Sequence, residues 1–239
     1  MYTGGEVSVG QLAACLPACL PNDRRFVLGI AGPPAAGKST LAAGLVAALN
    51  AGGGEPAAVA PMDGFHLTSA ALAATGSLHR KGEPDTFDVA GFVARLAALR
   101  AAPSGSPVSW PTFDRVLDDP VPDGVVFTNQ RIAVVEGNYL LLDEPGWREA
   151  RGFLDTVWYL DATDAVLEPR LRDRHLAGGK SAAETENKIA HSDLPNARTI
   201  AGSRPRADVY LRERGGSYLI EKFRRRRHPA PRPGERFPA

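Results

Sequence analysis

The sequence predicts an α/β fold of three layers, in which a mainly parallel sheet of about five strands carries helices on both faces. Short, largely apolar runs, such as Phe26–Ala31 and residues 57–62, have the composition of buried parallel strands. They alternate with Ala- and Leu-rich stretches in which apolar residues recur at helical spacing. The 239 residues suit one such domain with a well-formed core.

Composition and charge narrow the classes of partner and compartment. The 28 basic and 27 acidic residues nearly cancel, so the overall charge favours no nucleic-acid partner. Cys15 and Cys19 stand four residues apart, a poor geometry for a disulfide, and we interpret both as reduced thiols. No apolar run approaches the length of a membrane span, and the first residues lack the pattern of a signal peptide. We therefore expect a cytoplasmic protein without a membrane partner.

The first predicted strand runs directly into residues 32–39, GPPAAGKS, which satisfy the phosphate-loop pattern G-x-x-x-x-G-K-[ST]. Gly32 and Gly37 let the backbone N–H groups approach a polyphosphate, towards which the following helix directs its positive N-terminal dipole. Lys38 adds a charge for the β- and γ-phosphates, and the Ser39 hydroxyl can bind Mg²⁺. A strand before the motif and a helix after it disfavour a chance match. The predicted nucleotide-binding residues are Gly32, Pro33, Pro34, Ala35, Ala36, Gly37, Lys38, Ser39 and Thr40.

The elements around the loop follow from local patterns. A short amphipathic helix is predicted at residues 11–16, and the helix after the loop should end at the glycines of residues 52–54. The strand at 57–62 is followed at once by Asp63. Ligands of open α/β sheets lie outside the carboxyl ends of the strands, so Asp63 could act as general base for a hydroxyl. Its position alone fits a helix N-cap equally well.

The middle of the chain combines predicted helices with polar loops. Residues 68–78 read as helical, 78–88 as a loop, and Asp88 as the N-cap of a helix over 89–100. For His79–Lys81 alone, a solvated charge cluster is the favoured interpretation. Residues 108–115 read as a short strand entering a loop. Its aromatic, carboxylate and guanidinium groups suit a polar small molecule, or else a buried aromatic anchor beside a surface ion pair.

A third strand, at 131–139, contains Glu136, followed by Gly137, which we expect to leave room beside the phosphates. An acid at the end of a strand beside a phosphate loop holds Mg²⁺ directly or through water. Since an unpaired buried charge is costly, a structural role for Glu136 is disfavoured.

The last third of the chain contains a predicted lid over about residues 165–200. After a strand at 156–161, a helix carries Arg170 and Arg174 on one face and Arg172 on another, and it ends at two glycines. Such a helix could bring cations onto a transferring phosphoryl group, although an exposed basic helix is the plain alternative. We expect a polar loop at 193–203, short strands at 207–211 and 217–220, and a disordered basic tail at 223–239.

Six motifs in this order resemble the phosphate-loop small-molecule kinases that include pantothenate kinase, uridine kinase and phosphoribulokinase. They are GPPAAGKST, MDGFH, RKGEPDTFD, WPTFDR, VVEGNYLLL and RLRDRH, within residues 26–220. DGFH and RKG-PDTFD look most like relatives labelled as fructose-transport or nucleoside kinases. The resemblance implies the kinase-type P-loop NTPase fold over residues 1–222, Asp63 as catalytic base, Glu136 near Mg²⁺, and Arg170 and Arg174 as lid cations. The residues it suggests for the acceptor pocket are His66, Arg80, Lys81, Phe87, Trp110, Asp114 and Asn138.

These residues together predict an ATP-dependent kinase that uses Mg²⁺. Its expected acceptor is a hydroxyl of a small metabolite, such as a nucleoside, a sugar or a pantothenate-like compound. A homodimer is compatible with this function. One alternative is a nucleotide switch that releases phosphate to water, but no guanine-reading N-K-x-D occurs. Another is a nucleotide-binding regulator without turnover. The complete set of Lys38, Ser39, Asp63 and Glu136 argues against it.

Overall fold

Two sheets contain all nine strands of the computed structural model, which describes residues 5–223. The strands are β1 (Glu6–Val7), β2 (Phe26–Ala31), β3 (Ala57–Pro61), β4 (Val108–Asp114), β5 (Asp119–Phe127), β6 (Ile132–Gly137), β7 (Thr156–Asp161), β8 (Val209–Arg214) and β9 (Ser217–Phe223). The main sheet has the order β1-β9-β8-β7-β2-β6-β3, and β4 and β5 form a separate antiparallel hairpin.

The strands from β8 to β3 are parallel, which confirms the predicted mainly parallel sheet of about five strands. Two antiparallel strands, β9 and β1, extend the β8 edge beyond that prediction. β2 lies at the centre between β6 and β7, and all six of its residues are buried. Since Ile30 pairs with Glu136 on one side, the loop after β2 and the acid of β6 emerge at the same end of the sheet.

Eight α-helices cover the sheet in the described residues. They are α1 (Val9–Ala14), α2 (Lys38–Asn50), α3 (Ser69–Ala74), α4 (Val89–Ala101), α5 (Trp147–Ala150), α6 (Asp164–Ala177), α7 (Ala182–Lys188) and α8 (Leu194–Ser203). Neighbouring residues of β2 enter different cores: Val27 and Ala31 join one apolar cluster, and Leu28 and Ile30 the other. The alternation of side chains along a strand therefore produces the three predicted layers.

The prediction of a polar loop at 193–203 is wrong. A π-helical turn, Ile189–Asp193, leads directly into α8. Ala197 and Ile200, three residues apart, are buried on one face of that helix. Pro195 lies in its first turn, where the missing N–H needs no partner.

The basic tail predicted at 223–239 lies outside the described residues, apart from Phe223 at the end of β9. Within residues 5–223, every helix is too short or too polar to span a bilayer.

Candidate active site

A cleft of about 490 Å³ opens at the carboxyl ends of the parallel strands. Residues 34–40 of the phosphate loop line it, together with side chains that follow β3, β4 and β6, two arginines of α6 and the β8–β9 turn. This is the place where ligands of open α/β sheets bind, because the strand order reverses there around β2.

The phosphate loop is shaped by two glycines. Gly32 has φ +152°, and a Cβ on it would lie 2.4 Å from the carbonyl oxygen of Leu160 in β7. Gly37, with φ +99°, is the N-cap of α2, so the unpaired N–H groups of the first helical turn face the cleft. Gly32 and Pro33, although predicted to bind nucleotide, do not line the cleft and instead hold the turn behind it.

Lys38 is held inside this loop with only 7% of its surface exposed. Its Nζ donates to the carbonyl oxygen of Pro33 at 2.8 Å and to Asn138 Oδ1 at 2.7 Å. Burial lowers the pKa of Lys38 to about 8, against the attraction of Glu136 and Asp63. The ammonium group is thus positioned at the cleft by oxygen atoms of the protein itself.

Ser39 and Glu136 form the adjoining oxygen pair, since the Ser39 hydroxyl donates to Glu136 Oε1 at 3.1 Å. Burial, reinforced by the charge of Asp63, raises the pKa of Glu136 to about 6. Among residues 5–223, no three His, Cys, Asp or Glu side chains are grouped to hold a metal. Mg²⁺ on nucleotide sites typically takes one or two protein oxygens plus phosphates and water, and this pair fits that requirement.

Asp63 lies in a single helical turn, Met62–Phe65, directly after β3. It does not cap a helix, because Pro61 occupies the N-cap position of that turn. Its carboxylate instead lines the cleft, 3.5 Å from Arg115 Nη2. The geometry leaves this carboxylate facing the space in front of the phosphate loop.

The arginines of α6 divide as their spacing predicts. Arg170 lines the cleft, where Nη2 pairs with Glu213 at 3.0 Å. Arg174 also lines the cleft, 3.9 Å from Asp193, and burial lowers the pKa of its guanidinium. Arg172 points to the other side and pairs with Glu186 at 2.6 Å.

Asn138 lines the cleft, but the other six candidates for the acceptor pocket do not. Trp110 is wholly buried, and its Nε1 donates to the carbonyl oxygen of Pro61 at 2.9 Å. Phe87, 5% exposed, packs against Trp147 in the same core. These two aromatics support the cleft wall from behind, which corresponds to the buried anchor weighed above for Trp110.

The polar candidates among the six have local partners. Asp114 Oδ1 accepts the backbone N–H groups of residues 116 and 117 and so shapes the hairpin turn. Arg80 pairs with Glu83 at 2.8 Å and with Asp85 at 2.7 Å. Lys81 Nζ donates to Ser69 Oγ at 2.7 Å and pairs with Asp119 at 3.1 Å. The charged run is therefore mostly satisfied within its own loop and the hairpin.

His66 lies one layer behind Asp63. Its Nδ1 is 2.7 Å from the backbone oxygen of Asp63, and its ring stacks on Phe87 and Phe113 at 4.0 and 4.8 Å. Gly137 packs against Met62. A Cβ added to Gly137 would lie 2.5 Å from Met62 Cβ, so this glycine makes room for the Met62–Phe65 turn and not for phosphates.

Four cleft residues were absent from the predicted site: Arg115, Glu213, Gly216 and Tyr218. Arg115 ends the WPTFDR motif, so the motif itself could have indicated it. The other three lie at the β8–β9 turn, whose sequence carries no recognisable binding pattern.

Comparison with known proteins finds relatives that match more than four fifths of the chain. No protein-family model matches this chain. A protein of Schizosaccharomyces pombe named "Putative uridine kinase" is 33% identical over 202 residues, covering 81% of this chain and 86% of its own. The uncharacterised protein YggC of Escherichia coli is 37% identical over 202 residues, covering 84% and 83%. The solved structure of a "putative fructose transport system kinase" from Silicibacter has a TM-score of 0.74 at 38% identity, covering 82% of this chain and 95% of its own.

Proposed function

Because the chain belongs to the ATP-dependent P-loop kinases related to uridine kinase, we propose that it transfers the γ-phosphate of ATP to a hydroxyl of a small metabolite. The observation that carries this proposal is the position of Asp63. Its carboxylate shares one cleft with the phosphate loop, Lys38 and the Ser39–Glu136 pair. There it can accept the proton of an attacking hydroxyl, and it is separate from the Ser39–Glu136 pair that suits Mg²⁺.

The donor half of the proposed site binds the triphosphate. Backbone N–H groups at the start of α2 donate hydrogen bonds to the phosphate oxygens, and Lys38 contributes its charge from within the loop. Ser39 and Glu136 would hold Mg²⁺, which supplies charge neutralisation for the phosphate oxygens when bound.

The acceptor half is centred on Asp63. The acceptor oxygen forms a bond to the γ-phosphorus while the bond to the bridging oxygen of ADP breaks, and the hydroxyl proton passes to the Asp63 carboxylate. Arg170 and Arg174 face the same space from α6, and we assign them to the equatorial oxygens of the transferring group. Arg115, 3.5 Å from Asp63, keeps that carboxylate oriented between the two halves.

The acceptor class is inferred from the resemblance to kinases of nucleosides, sugars and pantothenate. ADP release is measured with ATP and Mg²⁺ alone, and again with a panel of these compounds; the phosphorylated products are identified by mass spectrometry. We expect ADP release to rise several-fold with at least one acceptor and to match product formation. Equal ADP release with and without every acceptor would overturn the proposal and indicate a hydrolase.

A further inference from the structure

A second, smaller pocket of about 80 Å³ lies at the opposite end of the sheet. This amino-end pocket is lined by Asn22, Asp23, Arg24, Arg25, Ala102, Ser104, Gln130 and Arg131. Arg25 immediately precedes β2 and Arg131 immediately precedes β6, whereas the phosphate loop and Glu136 lie at the other end of these strands. The amino-end pocket is therefore separate from the cleft.

Arg25 is a buried cation, 4% exposed, without a carboxylate partner among the described residues. Its guanidinium donates to the backbone oxygens of Leu99 at 2.6 Å, Gln130 at 2.7 Å and Thr128 at 3.1 Å. The Phe127 ring lies 5.6 Å away, and burial lowers the pKa of the group. Five N–H groups are present on a guanidinium, so donors remain after these three bonds.

Arg131 adds a second cation, on a half-buried side chain. Its Nη2 donates to the backbone oxygen of Pro21, while Nε is buried and makes no hydrogen bond. It forms no ion pair within residues 5–223. The charge of Arg24, by contrast, is met by Asp155 at 2.7 Å. Asp23, an exposed rim residue, forms no ion pair with any described group.

Arg25 also has a structural role, because Leu99 lies in the last turn of α4 and a cation there satisfies its free carbonyl. That role leaves the buried Nε of Arg131 unexplained. The two guanidinium groups share one pocket without an ion pair, and its one lining carboxylate, Asp23, is exposed at the rim, so an anion bound beside them would be stabilised. From these cations and the size of the space, we propose that the amino-end pocket binds a single phosphate group, either free phosphate or that of a small phosphate ester.

The test is calorimetric titration of inorganic phosphate into protein saturated with Mg²⁺ and a non-hydrolysable ATP analogue, which occupies the phosphate loop. We expect saturable binding to one site in the wild type. Arg131→Gln should weaken it roughly tenfold or more, since charge-assisted hydrogen bonds are lost. The matched control is Arg148→Gln, which removes the same charge from an exposed arginine paired with Asp143 and should change nothing.

Ser104→Glu is a second variant, chosen because Ser104 is exposed on the rim and the change should not disturb folding. Its carboxylate should compete with phosphate and abolish the binding. Parallel titrations with glycerol 1-phosphate distinguish an ester from free phosphate as the tighter ligand. The proposal is overturned if the wild type shows no saturable phosphate binding, if acetate binds more tightly than phosphate, or if neither variant weakens the binding.

Discussion

Asp63 and Glu136 are two acids in one cleft with different partners. Glu136 is buried and accepts the hydroxyl of Ser39 at 3.1 Å, whereas the Asp63 carboxylate has Arg115 at the longer distance of 3.5 Å. Burial and the neighbouring charge of Asp63 together raise the pKa of Glu136. Glu136, which accepts the Ser39 hydroxyl, is suited to bind a metal ion. Asp63, whose partner is more distant, is suited to accept the proton of the acceptor hydroxyl.

We predict that Asp63→Asn reduces phosphoryl transfer by at least about 10²-fold, because the amide cannot take the proton. Affinity for ATP should stay within a few-fold, as measured by equilibrium binding of a fluorescent analogue. Asp114→Asn is the control, since that carboxylate lies in the same region but only shapes a turn. Substantial transfer by the Asp63 variant would exclude its role as base.

Arg174→Ala should lower kcat by roughly 10²-fold or more, by analogy with cationic stabilisation of phosphoryl transfer. Arg172→Ala removes the same charge two residues away, where the side chain pairs with Glu186 and does not line the cleft. It should leave steady-state kinetics within about twofold, the range expected for an exposed ion pair. If only the KM for ATP changes in the Arg174 variant, that residue binds nucleotide without assisting transfer.

His66 makes the stability of the fold depend on pH. Burial lowers its pKa below the ordinary value of 6.5, so the unfolded chain binds the proton more readily than the folded one. The neutral His66 ring therefore contributes its full stabilisation above pH 6.5, and this stabilisation is lost as the pH falls through the pKa of His66 in the folded state. We expect His66→Gln to reduce the loss of unfolding free energy between about pH 7.5 and 5.5, measured by urea titration. An unchanged dependence of the unfolding free energy on pH in the His66 variant would contradict this assignment.

At the scale of residues, the phosphate loop could be predicted because its pattern is continuous and its flanking strand and helix are readable. Trp110 could not be assigned, since the face of β4 that enters the core depends on packing against Phe65 and Phe92. Arg80 and Lys81 were similarly ambiguous. Their partners in the structure include Asp119, 38 residues further along the chain, which local pattern cannot reveal.

Among the elements, α4 was predicted to the residue at its start. Asp88 Oδ1 accepts the backbone N–H of Gly91 at 2.9 Å, as an N-cap should. We predict that Asp88→Ala lowers the free energy of unfolding by about 1 kcal/mol, and that Asp88→Asn, which keeps the acceptor, changes it by a few tenths. Urea denaturation at neutral pH measures both. Equal losses in the two variants would show that the charge, and not the cap, is responsible.

The segment from α6 to α8 corresponds to the lid predicted over about residues 165–200, and its closure stays a prediction. It contacts the loop of residues 78–86, since Lys188 Nζ donates to the backbone oxygen of Lys81 at 3.0 Å. α8 was not predicted from the sequence, because Pro195 and Asn196 near its start are typical of turns. Its buried face has only a few apolar residues, which a window of polar sequence conceals.

For the whole molecule, the cleft collects side chains from the loop, β3, β6, α6 and the β8–β9 turn. A ligand bound there should therefore stabilise the fold as one unit. At about 100 times its dissociation constant, Mg²⁺·ATP should raise the free energy of unfolding by roughly 2.7 kcal/mol. Lys38→Met should lose most of this gain while leaving the stability of the free protein comparable, as thermal denaturation with and without nucleotide can show. A full gain in that variant would exclude Lys38 from phosphate binding.

The central position of β2 has a consequence for the order in which the molecule is made. The phosphate loop leaves the ribosome early, yet Ser39 and Lys38 meet their partners Glu136 and Asn138 only 97 and 100 residues later. β7, whose Leu160 backs Gly32, is made later still. Domains fold as units once their chain is available, so the first half of a nascent chain carries the motif without the site. We therefore expect ATP to bind only after β6 and β7 have been made, and to stabilise the completed fold without nucleating it.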